Sequence, residues 1–61
     1  MKVSYDKESD AMSIHMVEAE VSWSQEIADG VIVDIDKDGH IIGLEILNAS
    51  SKVPLDKITL S

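Results

Sequence analysis

The 61-residue chain has no cysteine and no arginine. The first absence rules out disulfides and thiolate metal sites as stabilising staples. The second leaves five lysines against twelve acids, a net charge of −7. Nucleic-acid binding depends on Lys and Arg neutralising phosphates, so this composition argues against it. An anionic membrane surface is disfavoured for the same reason. Aromatic residues are limited to Tyr5 and Trp23, which leaves the core to aliphatic side chains. No apolar run approaches the roughly 20 residues of a membrane span. The first residues carry no signal-peptide pattern, and the expected compartment is the cytoplasm.

What is present is a hydrophobic fraction of 44%, that of a folded protein rather than a disordered one. The expected organisation is a single small β-rich domain over residues 1–61. A domain of this size buries only about 60% of the surface its unfolded chain exposes. Its core supplies roughly 3–5 kcal/mol, so a homodimer or a partner is an expected source of further stability. A basic partner protein or a cation suits the negative charge, through steering rather than through the fold.

Along the chain, hydrophobic residues recur with a period of two, the signature of strands. Met1–Tyr5 alternates, and Asp6–Asp10 is a polar break. In Ala11–Val17, Met12, Ile14 and Met16 share one side, a stripe read as core. Val21–Ile27 alternates again, with Trp23 on the apolar side. Good helix formers make a helix over Met16–Ala28 the competing reading, but the serines discourage a helix interior. Ala28–Gly30 reads as a three-residue hairpin loop with Gly30 as its bulge glycine, setting Ile27 opposite Val31, Gln25 opposite Val33 and Trp23 opposite Ile35. In the next strand Val31, Val33 and Ile35 point inward, with Asp34 and Asp36 outward. The turn Asp36–Gly39 leads to His40–Leu47, with Val33 opposite Ile42 and Val31 opposite Leu44. Gly43 inside that strand marks a bulge or a close backbone approach. Ile32 and Ile41 are left on the outer face. Asn48 is a candidate helix cap, and Pro54 a candidate start of a further helical turn. The residues around Ile58, Thr59 and Leu60 read equally as strand. The expected fold is mainly β: an antiparallel meander of four to five strands with a short C-terminal helix.

Several short motifs in this order resemble the DUF2283 family of small bacterial and archaeal proteins. They are Tyr5-Asp6 followed by Asp10-Ala11, Gly30-Val31, Asp34 through Gly39, and Gly43 through Leu47. The likeness runs to about Ser51, with departures at Ser13, His15 and the tail that contains Pro54. It implies a small β-rich domain. Members that stand beside small toxin-like proteins imply an antitoxin-type role, and the resemblance assigns no catalytic or ligand residue.

Residues Asp34, Asp36 and Asp38 with Gly39 and Glu45 satisfy the spacing of a calcium-binding EF-hand loop. That loop needs flanking helices and a bidentate glutamate at its twelfth position. Here the flanks alternate as strands, the ninth position is Ile42, and Glu45 lies roughly 15 Å along the returning strand. A solvated acidic turn is the favoured reading, and calcium binding through the 34–45 loop its rival. His15 and His40 lack neighbours at ligand spacing and read as surface histidines. No nucleophile motif or phosphate-binding loop is present, so neither enzyme activity nor a cofactor is expected. The leading expectation is an acidic protein-binding module, an antitoxin-like neutraliser of a basic partner, with Trp23, Ile32 and Ile41 as candidate contacts. For Trp23, the role of core anchor competes with that of a contact residue.

Overall fold

A computed structural model describes residues 1–58. They form one antiparallel sheet of five strands: β1 (Lys2–Asp6), β2 (Ala11–His15), β3 (Trp23–Ala28), β4 (Val31–Ile35) and β5 (Ile41–Leu47). A short helix α1 (Ala49–Lys52) and a 3-10 turn (Leu55–Lys57) follow. Among the described residues, no helix is long and apolar enough to cross a membrane.

The mainly β fold, the antiparallel pairing and the short C-terminal helix agree with the sequence-based expectation. Strand order departs from a simple meander. It runs β1-β2-β5-β4-β3, so β5 enters between β2 and β4. The reason lies in composition. The segment Ile41–Leu47 is the longest strand and holds the largest number of apolar residues, and a central position flanks it with a strand on both sides. Strand β3, with Ser24, Gln25 and Glu26, tolerates the edge, and all six of its residues are exposed.

This order forces the connection Met16–Ser22 to pass the ends of β5 and β4. Three strand spacings are about 14 Å, within the reach of seven nearly extended residues. The connection is tied down at both ends. The Met16 and Val17 amides donate to the Ile42 carbonyl at 2.9 and 3.3 Å, and the Ser22 amide donates to Ile35 at 2.8 Å.

Two registers differ from the simplest hairpin readings. In the β3–β4 hairpin Trp23 faces Ile35 and Gln25 faces Val33, as expected, but Ala28 rather than Ile27 faces Val31. The extra residue, Ile27, is a bulge in β3 that lets Ala28 pair with Val31 across the tight turn and leaves its own side chain exposed. Gly30 takes φ +71°, the left-handed region such a turn needs. In the β4–β5 pair Val33 faces Leu44 and Val31 faces Ile46, two residues beyond the expected register. A shift of two preserves the face of each side chain, and a second bulge between Asp34 and Ile35 absorbs it, with Ile35 facing Ile41.

Pairing across the sheet gathers Val3, Tyr5, Met12, Ile14, Leu44, Ile46, Val33 and Ile35 on one face. Met12 and Val33 are buried there, and Ile42 and Ala49 complete the buried apolar set. The methionine stripe is therefore core. Trp23, expected as core anchor, is 47% exposed, because the edge position of β3 leaves nothing beyond it. The terminal reading of residues 58–60 as strand falls largely outside the described residues. Ile58 itself is extended.

Helix α1 forms where expected, but Asn48 does not cap it. Asn48 adopts φ +52° and makes no side-chain cap bond. Asp10 does the work from the β1–β2 turn. Its carbonyl accepts from the Ala49 amide at 2.9 Å, and its carboxylate accepts from the Ser50 amide and hydroxyl at 3.0 and 2.7 Å. Tyr5 Oη donates to the same carboxylate at 2.6 Å. The Tyr5 and Ser50 bonds hold the Asp10 carboxyl below the usual aspartate range. A depressed folded pKa contributes stability above the unfolded value that is lost as pH falls through the folded one. The chain is thus expected to lose stability in acid. Asp10→Asn is expected to lower the neutral-pH urea midpoint and flatten that acid arm, and an unchanged arm would remove Asp10 from this role.

Candidate functional site

The four acids of the EF-hand pattern go to two different places. Asp36 and Asp38 sit in the β4–β5 turn, and the Asp36 carboxylate is consumed by that turn. Its Oδ1 accepts from the Asp38 and His40 amides at 2.9 and 2.8 Å, and its Oδ2 lies 3.3 Å from His40 Nδ1. The backbone bond from His40 is the main cause that holds the Asp36 carboxyl low. Among the described residues, the acids and histidines close enough to share an ion are Asp36, Asp38 and His40, with ligand atoms within 4.8 Å of one another. Asp34 and Glu45 do not join them.

Those two meet instead on the sheet face opposite the apolar core. Asp34 faces Gly43, and Glu45 faces Ile32 on one side and Ser13 on the other, so the two carboxyls stand on adjacent strands one step apart. Asp34 was expected to point into solvent, yet it is only 8% exposed. The connection from β2 to β3 passes above it, and a small cavity beneath that strap is lined by His15, Val17, Ala19, Val21, Asp34, Ile42 and Gly43. Ser24 Oγ donates to Asp34 Oδ1 at 2.7 Å. Glu45 Oε2 is shielded from solvent and meets no donor. Burial pushes the Glu45 carboxyl up to about 7, and Asp34, as hydrogen-bond partner and as like charge, adds to the rise. Two adjacent carboxyls in a poorly hydrated place hold a proton between them more readily than two charges. Gly43 is the residue that permits this approach. A Cβ there would stand 3.2 Å from Asp34 Oδ2 and 3.0 Å from the Ile14 carbonyl.

The candidate contact residues are placed differently from one another. Ile32 is half-buried, on the face of Asp34 and Glu45. Ile41, expected on the outer face, lies across from Ile35 because of the bulge in β5. Register thereby lines up Trp23, Ile35 and Ile41 across three strands, with Trp23 and Ile41 47% and 57% exposed. Beside this row, an open groove between strap and turn is lined by Ala19, Glu20, Ser22, Asp36, Lys37 and Asp38. Val17, Val21 and Ile27 are further exposed apolar side chains. Periodicity assigned Val21 and Ile27 to the inward side. Val21 instead lies in the Met16–Ser22 connection, and Ile27 is the bulge residue of an edge strand. Asp10 and Ser24 were not legible as key residues, since their partners lie 40 and 10 residues away.

A carboxyl raised in the folded state favours folding less and less as pH rises from its unfolded value through its folded one, because the native state binds more protons over that interval. For Glu45 the interval runs from 4.5 to about 7. The wild-type urea midpoint is therefore expected to fall from about pH 5 to about pH 8. Glu45→Gln, whose amide donates to Asp34 at any pH, is expected to flatten that slope and to exceed the wild type at the alkaline end. Parallel slopes for the two proteins would refute the shared proton.

Residues 2–50 match the family model described as a protein of unknown function, DUF2283. An uncharacterised protein of Methanocaldococcus jannaschii is 33% identical over 60 residues, which is 98% of this chain and 51% of that protein. The chain thus spans about half the length of this relative. No solved structure matches it. The strand pattern, the turn glycines and the matched span together place the chain in the DUF2283 family of proteins of unknown function.

Proposed function

We propose that this chain is a non-enzymatic, cytoplasmic protein-binding module that takes a basic partner, and that an antitoxin-like neutralising role is its form in the cell. The observation that carries this reading is the row Trp23–Ile35–Ile41, two of whose members are about half exposed at an end of the sheet bordered by Glu20, Asp36 and Asp38, with Lys37 as the one cation among them. Large aromatic residues with aliphatic neighbours are what interface hot spots are made of. Acids around them accelerate encounter with a positively charged surface and reject acidic ones. The antitoxin form draws support from the family resemblance alone. A second copy of the chain is the competing occupant of the same row, and seven negative charges on each copy oppose it.

The test is co-expression with the product of a neighbouring gene and with basic proteins of similar size, followed by co-purification and titration. A specific basic partner is expected to bind more weakly as salt rises. Trp23→Ala is expected to weaken it about 30-fold, equivalent to about 2 kcal/mol, measured at a temperature where circular dichroism shows the variant folded. Calcium binding through the 34–45 loop, the rival reading, would instead give a response to millimolar calcium in calorimetry. Failure of any basic protein to co-purify at low salt, with a dimer by light scattering, would replace the proposal with self-association.

A further inference from the structure

We infer that the free edge of β3 receives an extended segment of the basic partner as a sixth strand, in which apolar and basic side chains alternate. The inference rests on the binding-module reading and names the site and the chemistry of its occupant. Strand β3 ends the sheet, pairs with β4 on one side only, and has all six residues exposed. A sheet edge presents a row of unpaired amides and carbonyls, and proteins commonly blunt it with lysine or proline. Strand β3 has neither. The stretch from Glu18 to Asp36 contains no lysine, and its exposed charges are Glu18, Glu20, Glu26 and Asp29. The opposite edge, β1, mixes Lys2 and Lys7 with Asp6 and Glu8 and does not share this bias.

Charge selects the occupant. Two copies of this edge would bring together chains that each carry a net charge of −7, and antiparallel pairing over Trp23–Glu26 would set Glu26 against Trp23 with no lysine in the segment to answer it. A basic strand reverses that sign. The faces then set its pattern. Trp23 and Gln25 lie on the face of Ile35 and Val33, whereas Ser24 and Glu26 lie on the face of Asp34 and Ile32. An added strand sits about 4.8 Å beyond β3, with its side chains alternating between the faces. One set therefore extends the row Trp23–Ile35–Ile41 and is apolar. The other set stands beside Glu26 and is lysine or arginine. The bulge at Ile27 interrupts the register, which limits regular pairing to Trp23–Glu26 and makes the occupant a short segment. Backbone hydrogen bonds supply affinity in this mode, and the alternating side chains supply selectivity.

The probe is a ten-residue peptide alternating lysine and valine. It is compared with the same peptide N-methylated at alternate amides and with a glutamate–valine counterpart, each titrated into the intact chain. The expected result is a blue shift of Trp23 emission, slowed hydrogen exchange at β3 amides, binding that weakens with salt, and a loss of about tenfold or more on N-methylation. The glutamate peptide is expected not to bind. Glu26→Gln is expected to weaken the lysine peptide, and the N-methylated control gives the same discrimination without altering the protein. If the lysine peptide does not bind, or binds equally well when N-methylated, or protects residues other than those of β3, the strand-addition inference is overturned. A basic partner that still co-purifies would then leave the module reading standing, and one that does not would remove both.

Discussion

The position of β5 between β2 and β4 is the constraint on which the rest of this small structure depends. Inserting the longest strand at the centre separates β2 from β3 by two strands. The intervening seven residues must then be stretched along one end of the sheet. That strap shields Asp34 and lines the cavity above Gly43, and it delivers Trp23 to an edge where nothing covers it. With no cysteine and few aromatics, the domain has little else from which to build stability. Its apolar core is confined to one face around Met12 and Val33.

The acids divide according to what the backbone offers them. Asp10 and Asp36 are absorbed by local architecture: one joins the first hairpin to α1, the other closes the β4–β5 turn, and both are held ionised by the donors they accept from. Asp34 and Glu45 have only each other and a serine hydroxyl, and the Glu45 carboxyl rises to about 7. Glu18, Glu20 and Asp29 remain on the surface to either side of β3. The negative charge is therefore not a uniform coat. Four of the exposed acids, Glu18, Glu20, Glu26 and Asp29, lie on or beside the edge strand that carries Trp23, with no lysine among them; the proposed basic, strand-like partner rests on that.

Much of this arrangement was readable from residue order. Alternation located all five strands to within about two residues at each end. Ala28–Gly30 and Asp36–Gly39 marked the turns, although pairing of Ala28 with Val31 shortens the first to Asp29-Gly30, and Gly43 marked a close backbone approach. The readings that changed did so for identifiable reasons. The β4–β5 register moved by two, which the inward–outward pattern cannot detect because it repeats every second residue. Ile41 changed face because a bulge adds a residue without any compositional sign. The EF-hand spacing matched in one dimension, while the hairpin carried Glu45 away from the turn and onto a neighbour of Asp34.

Sequence by itself determined the class of fold, the strands and turns, the aliphatic core stripe and the acidic character, because each is set by residues adjacent in the chain or by composition alone. Only the tertiary structure decided the strand order, the two bulges, the shielding of Asp34, the pairing of Asp34 with Glu45, the capping of α1 by Asp10 and the exposure of Trp23. Each of those depends on which strand lies beside which. That choice is made by the competition of whole strands for the centre of the sheet, and no local pattern encodes it.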